Sequence, residues 1–140
     1  MSELTGVKSA AVNLVAVCSD CGGPHGKPVV VGSTLHVSLA HSPVAVVAAA
    51  SWDAPVGIDL EGRPTAAVLA AIGSLTGEES LTRWTRIEAI LKADGRGLRV
   101  DPGHVVIEER EGWVVGASTR YRLTEVELGP DVIVSVAVAI

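Results

Sequence analysis

Two carboxylates, Asp59 and Glu61, stand two positions apart at the end of the alternating segment Val56-Gly57-Ile58-Asp59-Leu60-Glu61. On a strand they leave the same face while Ile58 and Leu60 point the other way. Side by side they repel, and a divalent cation relieves that repulsion; hard oxygen ligands are what Mg²⁺ accepts when phosphates fill its remaining positions. For an isolated pair of this kind, a strand turning polar where it meets solvent is the commoner explanation. Glu88 and Lys92 are four apart, so on a helix they share a face and, alone, amount to a surface ion pair. In combination, three carboxylates, a lysine one turn beyond and the Gly95-Arg96-Gly97 break suit a phosphate ester with its metal. His41 and Ser42 fall in a tight turn where an imidazole and a hydroxyl can meet a phosphate, although a turn histidine is commonly only solvated. Cys18 and Cys21 form a lone C-x-x-C, and in a reducing compartment that spacing suggests free thiols or half of a metal site. A zinc site needs two more ligands and only His25 is near, so two plain loop cysteines beside Gly22-Gly23-Pro24 are the preferred reading.

The elements that must position these residues follow from periodicity and punctuation. Residues 12–17 read as a strand, 18–28 as a loop rich in Gly and Pro, and 35–39, 44–50 and 56–61 as three strands in close succession. Short breaks at His41-Ser42-Pro43 and at 52–55 suggest an antiparallel meander. Pro64 opens an Ala-rich stretch that predicts a short helix over 64–72. Thr76-Gly77-Glu78-Glu79 fits a capping box for a longer helix over 76–94, closed by Gly95 and Gly97, with Leu81, Trp84, Ile87 and Leu91 as its buried stripe. Strands are expected again at 104–108, 113–117, 120–128 and 131–140. Strands, helices, strands make the class α+β: an antiparallel sheet packed with one long and one short helix, in one domain over 1–140.

Composition bounds what such a domain can do. The chain has 140 residues, a net charge of −5, 48% hydrophobic and 3% aromatic residues and no Phe, so Val, Leu, Ile and Ala must form the core with Trp52, Trp84, Trp113 and Tyr121 as its few large pieces. The acidic balance and scattered basic residues argue against a nucleic-acid partner. No apolar run reaches the length of a membrane span, and the N-terminus lacks the pattern of a secretory signal, so a cytoplasmic protein is expected.

An ordered set of motifs adds a family resemblance. His25-Gly26-Lys27-Pro28, then Ala40-His41-Ser42, then 56–61, then Trp84-Thr85-Arg86-Ile87-Glu88-Ala89-Ile90-Leu91-Lys92, then Gly95-Arg96-Gly97-Leu98 resembles the 4'-phosphopantetheinyl transferase superfamily, and most of all its Sfp-type branch. The match runs from about Cys18 to Leu98. It implies an enzyme of the holo-[acyl-carrier-protein] synthase type, a transferase that moves the 4'-phosphopantetheine arm of coenzyme A onto a serine of an acyl or peptidyl carrier protein, with Mg²⁺ on the pyrophosphate and 3',5'-adenosine bisphosphate released. By the same resemblance Asp59, Glu61 and Glu88 hold the cation, Asp59 and Glu88 are catalytic, and Glu88 accepts the serine proton. Lys92 meets the pyrophosphate, His41 with Ser42 the 3'-phosphate, and Lys27 in its Gly-Lys-Pro turn the adenine nucleotide.

The chain departs from that family in ways that define an alternative. It resembles only the second of the two similar halves of Sfp-type enzymes, Ile87 stands where the W-x-x-K-E motif has Lys, and Ala40 stands where a Ser is frequent. The interval from Asp59 to Glu88 is also shorter than usual for that branch. A homo-oligomer, dimer or trimer, or a complementing subunit is therefore expected to complete the site. The alternative is a catalytically impaired coenzyme A-binding or partner-subunit protein of the same fold.

Overall fold

The structure is a computed structural model that describes residues 12–67 and 75–140. Its strands are β1 (Leu14–Val15), β2 (Val29–Val30), β3 (His36–His41), β4 (Val46–Ser51), β5 (Val56–Gly62), β6 (Val105–Glu108), β7 (Glu111–Val114), β8 (Arg120–Glu125) and β9 (Val132–Ala139), with helix α1 (Leu75–Asp94) between β5 and β6. Short 3-10 turns at Gly97–Arg99 and Pro102–His104 join α1 to β6. The class is α+β, with two antiparallel sheets in the orders β1-β2-β3-β4 and β5-β9-β8-β7-β6. Among the described residues no helix is long and apolar enough to cross a membrane. The expected short helix over 64–72 lies mostly outside the described residues; Ala66 and Ala67 are helical.

The expected meander of three strands is corrected. β3 and β4 pair over their whole length, from His36↔Ser51 to His41↔Val46, but β5 leaves that sheet and pairs with β9 from Val56↔Val138 to Gly62↔Val132. The cause is burial on both faces. Val56, Gly57, Ile58, Asp59 and Leu60 are all buried, which no strand of a one-sided meander allows. Ile58 and Leu60 join Val132 and Val134 of β9 in a cluster with Ala40, flanked by Ala45, Val47 and Ala49, so this face packs on the first sheet. The opposite face of β5 and β9 receives α1, where Ala89, Ile90 and Ala93 pack with Ala137.

The buried stripe of the helix also differs from expectation. Thr85, Ala89, Ile90, Leu91 and Ala93 are buried, whereas Trp84 is 40% exposed and Leu81 and Ile87 are half-buried. Small residues took the place of the large ones because the helix lies almost on the backbone of β5. A β-carbon on Gly57 would collide with the Ala89 carbonyl oxygen and stand 2.5 Å from the Ala93 nitrogen. Gly112, just before the strand expected at 113–117, sits inside β7, where a β-carbon would come 2.9 Å from the Val106 oxygen and strike Ile90. Thr85 is tolerated in this interface because its hydroxyl donates to the Thr82 carbonyl (2.9 Å) and so accepts from Ser135 of β9 (2.8 Å). The large aromatics are mostly peripheral: only Tyr121 is buried, Trp52 is 46% exposed, and Trp113 carries the Arg120 guanidinium over its ring at 3.7 Å.

Gly57→Ala is expected to lose about 3 kcal/mol or more of stability or to fail to fold, because backbone on both sides must move. Gly62→Ala, with open space around its α-carbon, is expected to stay within about 0.5 kcal/mol of the native protein. Paired urea melts check the contrast.

Candidate active site

The β5 face that meets α1 carries Gly57, Asp59 and Glu61 in alternation, as the spacing of the carboxylates predicts. Gly57 brings the helix close, and the next positions along the strand then lie under Glu88 and Lys92. Lys92 Nζ donates to Asp59 Oδ1 at 2.7 Å, with the Asp59 side chain 11% exposed and that of Lys92 32% exposed. Asp59 Oδ2 is buried and has no hydrogen-bond partner among the described residues. Burial pushes the Glu88 carboxyl above the ordinary carboxylate range, the neighbouring Asp59 and Glu61 push it further, and Lys92 draws it partly back. Glu88, Asp59, Glu61 and Lys92 thus form one electrostatic unit. Their carboxylates are not drawn into a closed cage: among the described residues the group of three candidate ligands with donor atoms within 4.8 Å of one another is Cys18, Cys21 and His25. Arg86, one turn before Ile90 on the same helix, pairs with Glu125 of β8.

Lys27 is placed elsewhere. Its ammonium donates to the carbonyls of Val56 (3.1 Å), Lys92 (2.7 Å) and Ala93 (3.1 Å), at the start of β5 and the end of α1. The last carbonyls of a helix lack intrahelical donors and carry the negative end of its dipole, so a cation there is stabilised twice over. Burial lowers the Lys27 amine from the ordinary lysine range, and Asp94 partly offsets this. Asp94 in turn accepts from Arg96 Nε (2.7 Å) and Nη2 (2.9 Å), which hold its carboxyl low. Beside them burial pushes the Tyr121 phenol up to about 12, with Asp94 raising it further.

His41 and Ser42 lie at the β3–β4 hairpin of the other sheet. The Ser42 amide donates to the Ala45 carbonyl (2.8 Å) and its hydroxyl accepts from the Val44 amide (3.3 Å), so this serine closes its own turn. His41 is exposed, in register with Val46 on the strand face that also carries Leu39, opposite to Ser38 and Ala40. Ser38 Oγ accepts from the Ile58 amide at 3.0 Å and ties this sheet to β5. The structure therefore brings Asp59, Glu61, Glu88 and Lys92 together, gives Lys27 to the helix terminus, and leaves His41 and Ser42 on a separate hairpin. Ser38, Thr85 and Ser135, the buried hydroxyls that hold the carboxylate platform in place, carry no mark in the sequence beyond small polar residues in apolar runs. The capping role expected of Thr76 lies outside the described side chains.

Lys27→Met should lower stability by about 1–3 kcal/mol, since it removes the ammonium that donates to the part-buried Val56, Lys92 and Ala93 carbonyls; chemical denaturation measures this. Glu88 supplies a pH test. Its folded pKa lies above that of the unfolded chain, so folding takes up protons in that window and stability falls as pH rises through it. Glu88→Gln is expected to be more stable than the native protein near pH 7, by less than about 1 kcal/mol because the site is partly solvated. The advantage should vanish by about pH 4, where the native carboxyl is neutral too.

No protein-family model matches this chain, and a search of curated proteins returns no match.

Proposed function

We propose that this chain is a cytoplasmic, Mg²⁺-dependent 4'-phosphopantetheinyl transferase built on a single half-domain of that fold. It acts on coenzyme A and the serine of an acyl or peptidyl carrier protein. The reading is supported above all by the gathering of Glu88, Asp59, Glu61 and Lys92, with one buried Asp59 oxygen left without a partner among the described residues. An orphaned anionic oxygen beside two further carboxylates fits a hard cation, and Asp59, Glu61 and Glu88 are the residues that would hold it. When bound, Mg²⁺ supplies charge neutralisation on the pyrophosphate.

The chain's own residues supply the rest. Glu88, raised above the ordinary carboxylate range, is a stronger base than a surface glutamate and takes the proton of the carrier serine hydroxyl as its oxygen attacks phosphorus. The phosphorus–oxygen bond to 3',5'-adenosine bisphosphate breaks and that group leaves. Lys92 has three donors, gives one to Asp59 and keeps a third of its side chain in solvent, which leaves donors for a phosphate oxygen. In this reading His41 and Ser42 take the 3'-phosphate, while the Gly26-Lys27-Pro28 strap faces the adenine nucleotide with its ammonium already committed to carbonyls. A second copy of this chain completes the site; exposed Leu39, Val44 and Val46 on the first sheet and its hairpin favour such an association.

One observation favours the catalytically impaired reading. Ile87 packs against the main core cluster, so the position that carries a lysine in the resembled motif here contributes burial instead of charge. Calorimetry of coenzyme A binding, with Mg²⁺ and with chelator, together with mass-spectrometric transfer to an apo carrier protein, separates the two. The transferase reading expects metal-dependent binding, lost in Asp59→Ala, and transfer reduced at least about 100-fold in Glu88→Ala. Binding without transfer in the native chain supports the impaired reading, and no metal-dependent binding overturns the transferase and coenzyme A-binding readings and leaves the partner-subunit one. Light scattering on the same samples is expected to show an oligomer, and a strict monomer with full activity would refute the shared site.

A further inference from the structure

The loop between β1 and β2 holds a second group of ligand-type side chains with a different chemistry. Cys18 Sγ, Cys21 Sγ and a ring nitrogen of His25 all lie within 4.8 Å of one another. Cys21 Sγ and His25 Nε2 are 3.0 Å apart. Ligands on a tetrahedral zinc, at about 2.3 Å for sulfur and 2.0–2.1 Å for nitrogen, stand roughly 3.5–3.8 Å from each other. The three donors are therefore gathered closely enough to close on one ion by side-chain rotation.

The backbone of the loop is shaped around the sulfurs. Cys18 N–H donates to the Gly23 carbonyl and Gly22 N–H to the Cys18 carbonyl, both at 2.9 Å, with Gly22 in the left-handed region at φ 71°. That turn aims the Asp20 amide at Cys18 Sγ and the Gly23 amide at Cys21 Sγ, each at 3.4 Å. Amide donors pointed at sulfur favour thiolate, the form that binds metal. Cys21 and His25 are exposed and Cys18 is half-buried, so an ion enters from solvent and retains an outward position for water or an exogenous ligand.

We propose that Cys18, Cys21 and His25 form a zinc site with three protein ligands. Two thiolates and an imidazole select a borderline-soft ion such as Zn²⁺ and disfavour Mg²⁺, which the oxygen set of Asp59, Glu61 and Glu88 suits. The site lies two residues before Lys27, whose ammonium closes the end of α1, and Asp20 within the loop meets Arg99 at 3.5 Å. Zinc at this position cross-links the ends of the 18–25 loop and so steadies the strap that presents Lys27 to the helix. The inference is independent of the transferase reading, because it draws on none of the carboxylates.

The test is the full chain, free of any polyhistidine tag and purified under reductant. Plasma mass spectrometry is expected to find about one zinc per chain, and Co²⁺ titration to give the thiolate charge-transfer band and the visible bands of a tetrahedral site. Both signals should be lost in Cys21→Ser, and His25→Ala should weaken cobalt binding more than about tenfold, since even changes outside the ligand shell cost that much. His25→Ala keeps both thiols and decides the matter if the serine variant does not fold. Asp59→Ala is expected to keep its zinc. The proposal is overturned if the reduced native chain holds no zinc and gives a flat cobalt titration, if His25→Ala binds as the native chain does, or if Cys18 and Cys21 form a disulfide that zinc with reductant does not displace.

Discussion

The structure depends on the contact between one backbone and another at Gly57. With no side chain there, the Ala89 carbonyl and the Ala93 amide of α1 come against β5 itself, closer than any β-carbon permits. Ala89 and Ala93 let the helix descend, and Gly112 of β7 gives the same clearance to Ile90. The result is a helix held at fixed height and rotation over a strand buried on both faces. Close-packed interiors transmit such constraints without slack. Glu88 and Lys92 thereby stand over Asp59 and Glu61 as a consequence of where the small residues are.

Electrostatics then differentiates groups of the same type. Lys92 and Lys27 both end near the last turn of α1, yet one pairs with a carboxylate and remains partly in solvent while the other is absorbed by three carbonyls. Lys92 is held within the carboxylate cluster and Lys27 at the helix end. A similar division separates Asp94, satisfied by Arg96, from Asp59, which has one oxygen paired and one without a partner among the described residues. A buried anionic oxygen without a donor is costly, and a ligand that satisfies it recovers that cost on binding.

Two ligand sets of opposite character thus flank the same helix. The carboxylates over β5 are hard oxygen donors gathered around a buried Asp59. The Cys18, Cys21 and His25 group is soft, compact and anchored through Lys27 to the helix terminus. The strap from Cys18 to Pro28 is the physical link between them. It runs from the sulfur loop to the start of β5, where Lys27 meets the Val56 carbonyl three residues before Asp59.

The long helix, the polar face of Asp59 and Glu61 and the α+β class were legible from sequence alone, because helix period, strand alternation and glycine punctuation are local properties of the chain. The ion pair that spacing suggested between Glu88 and Lys92 is made instead between Lys92 and Asp59 of β5. Local patterns do not state which face of an element meets which partner. Leu91 is buried as expected, but Leu81, Trp84 and Ile87 gave way to Thr85, Ala89 and Ala93 because Gly57 made closeness more valuable than bulk, and β5 left its expected meander because β9 offered it seven paired residues and a second buried face. Sequence places Lys27 only in a Gly- and Pro-rich loop; folding brings its ammonium to carbonyls 29 and more positions away. Residue types and their periods determined the kinds of element and the kinds of chemistry available; only long-range packing decided which charges meet, which are neutralised and which carboxylate oxygen is buried without a partner among the described residues.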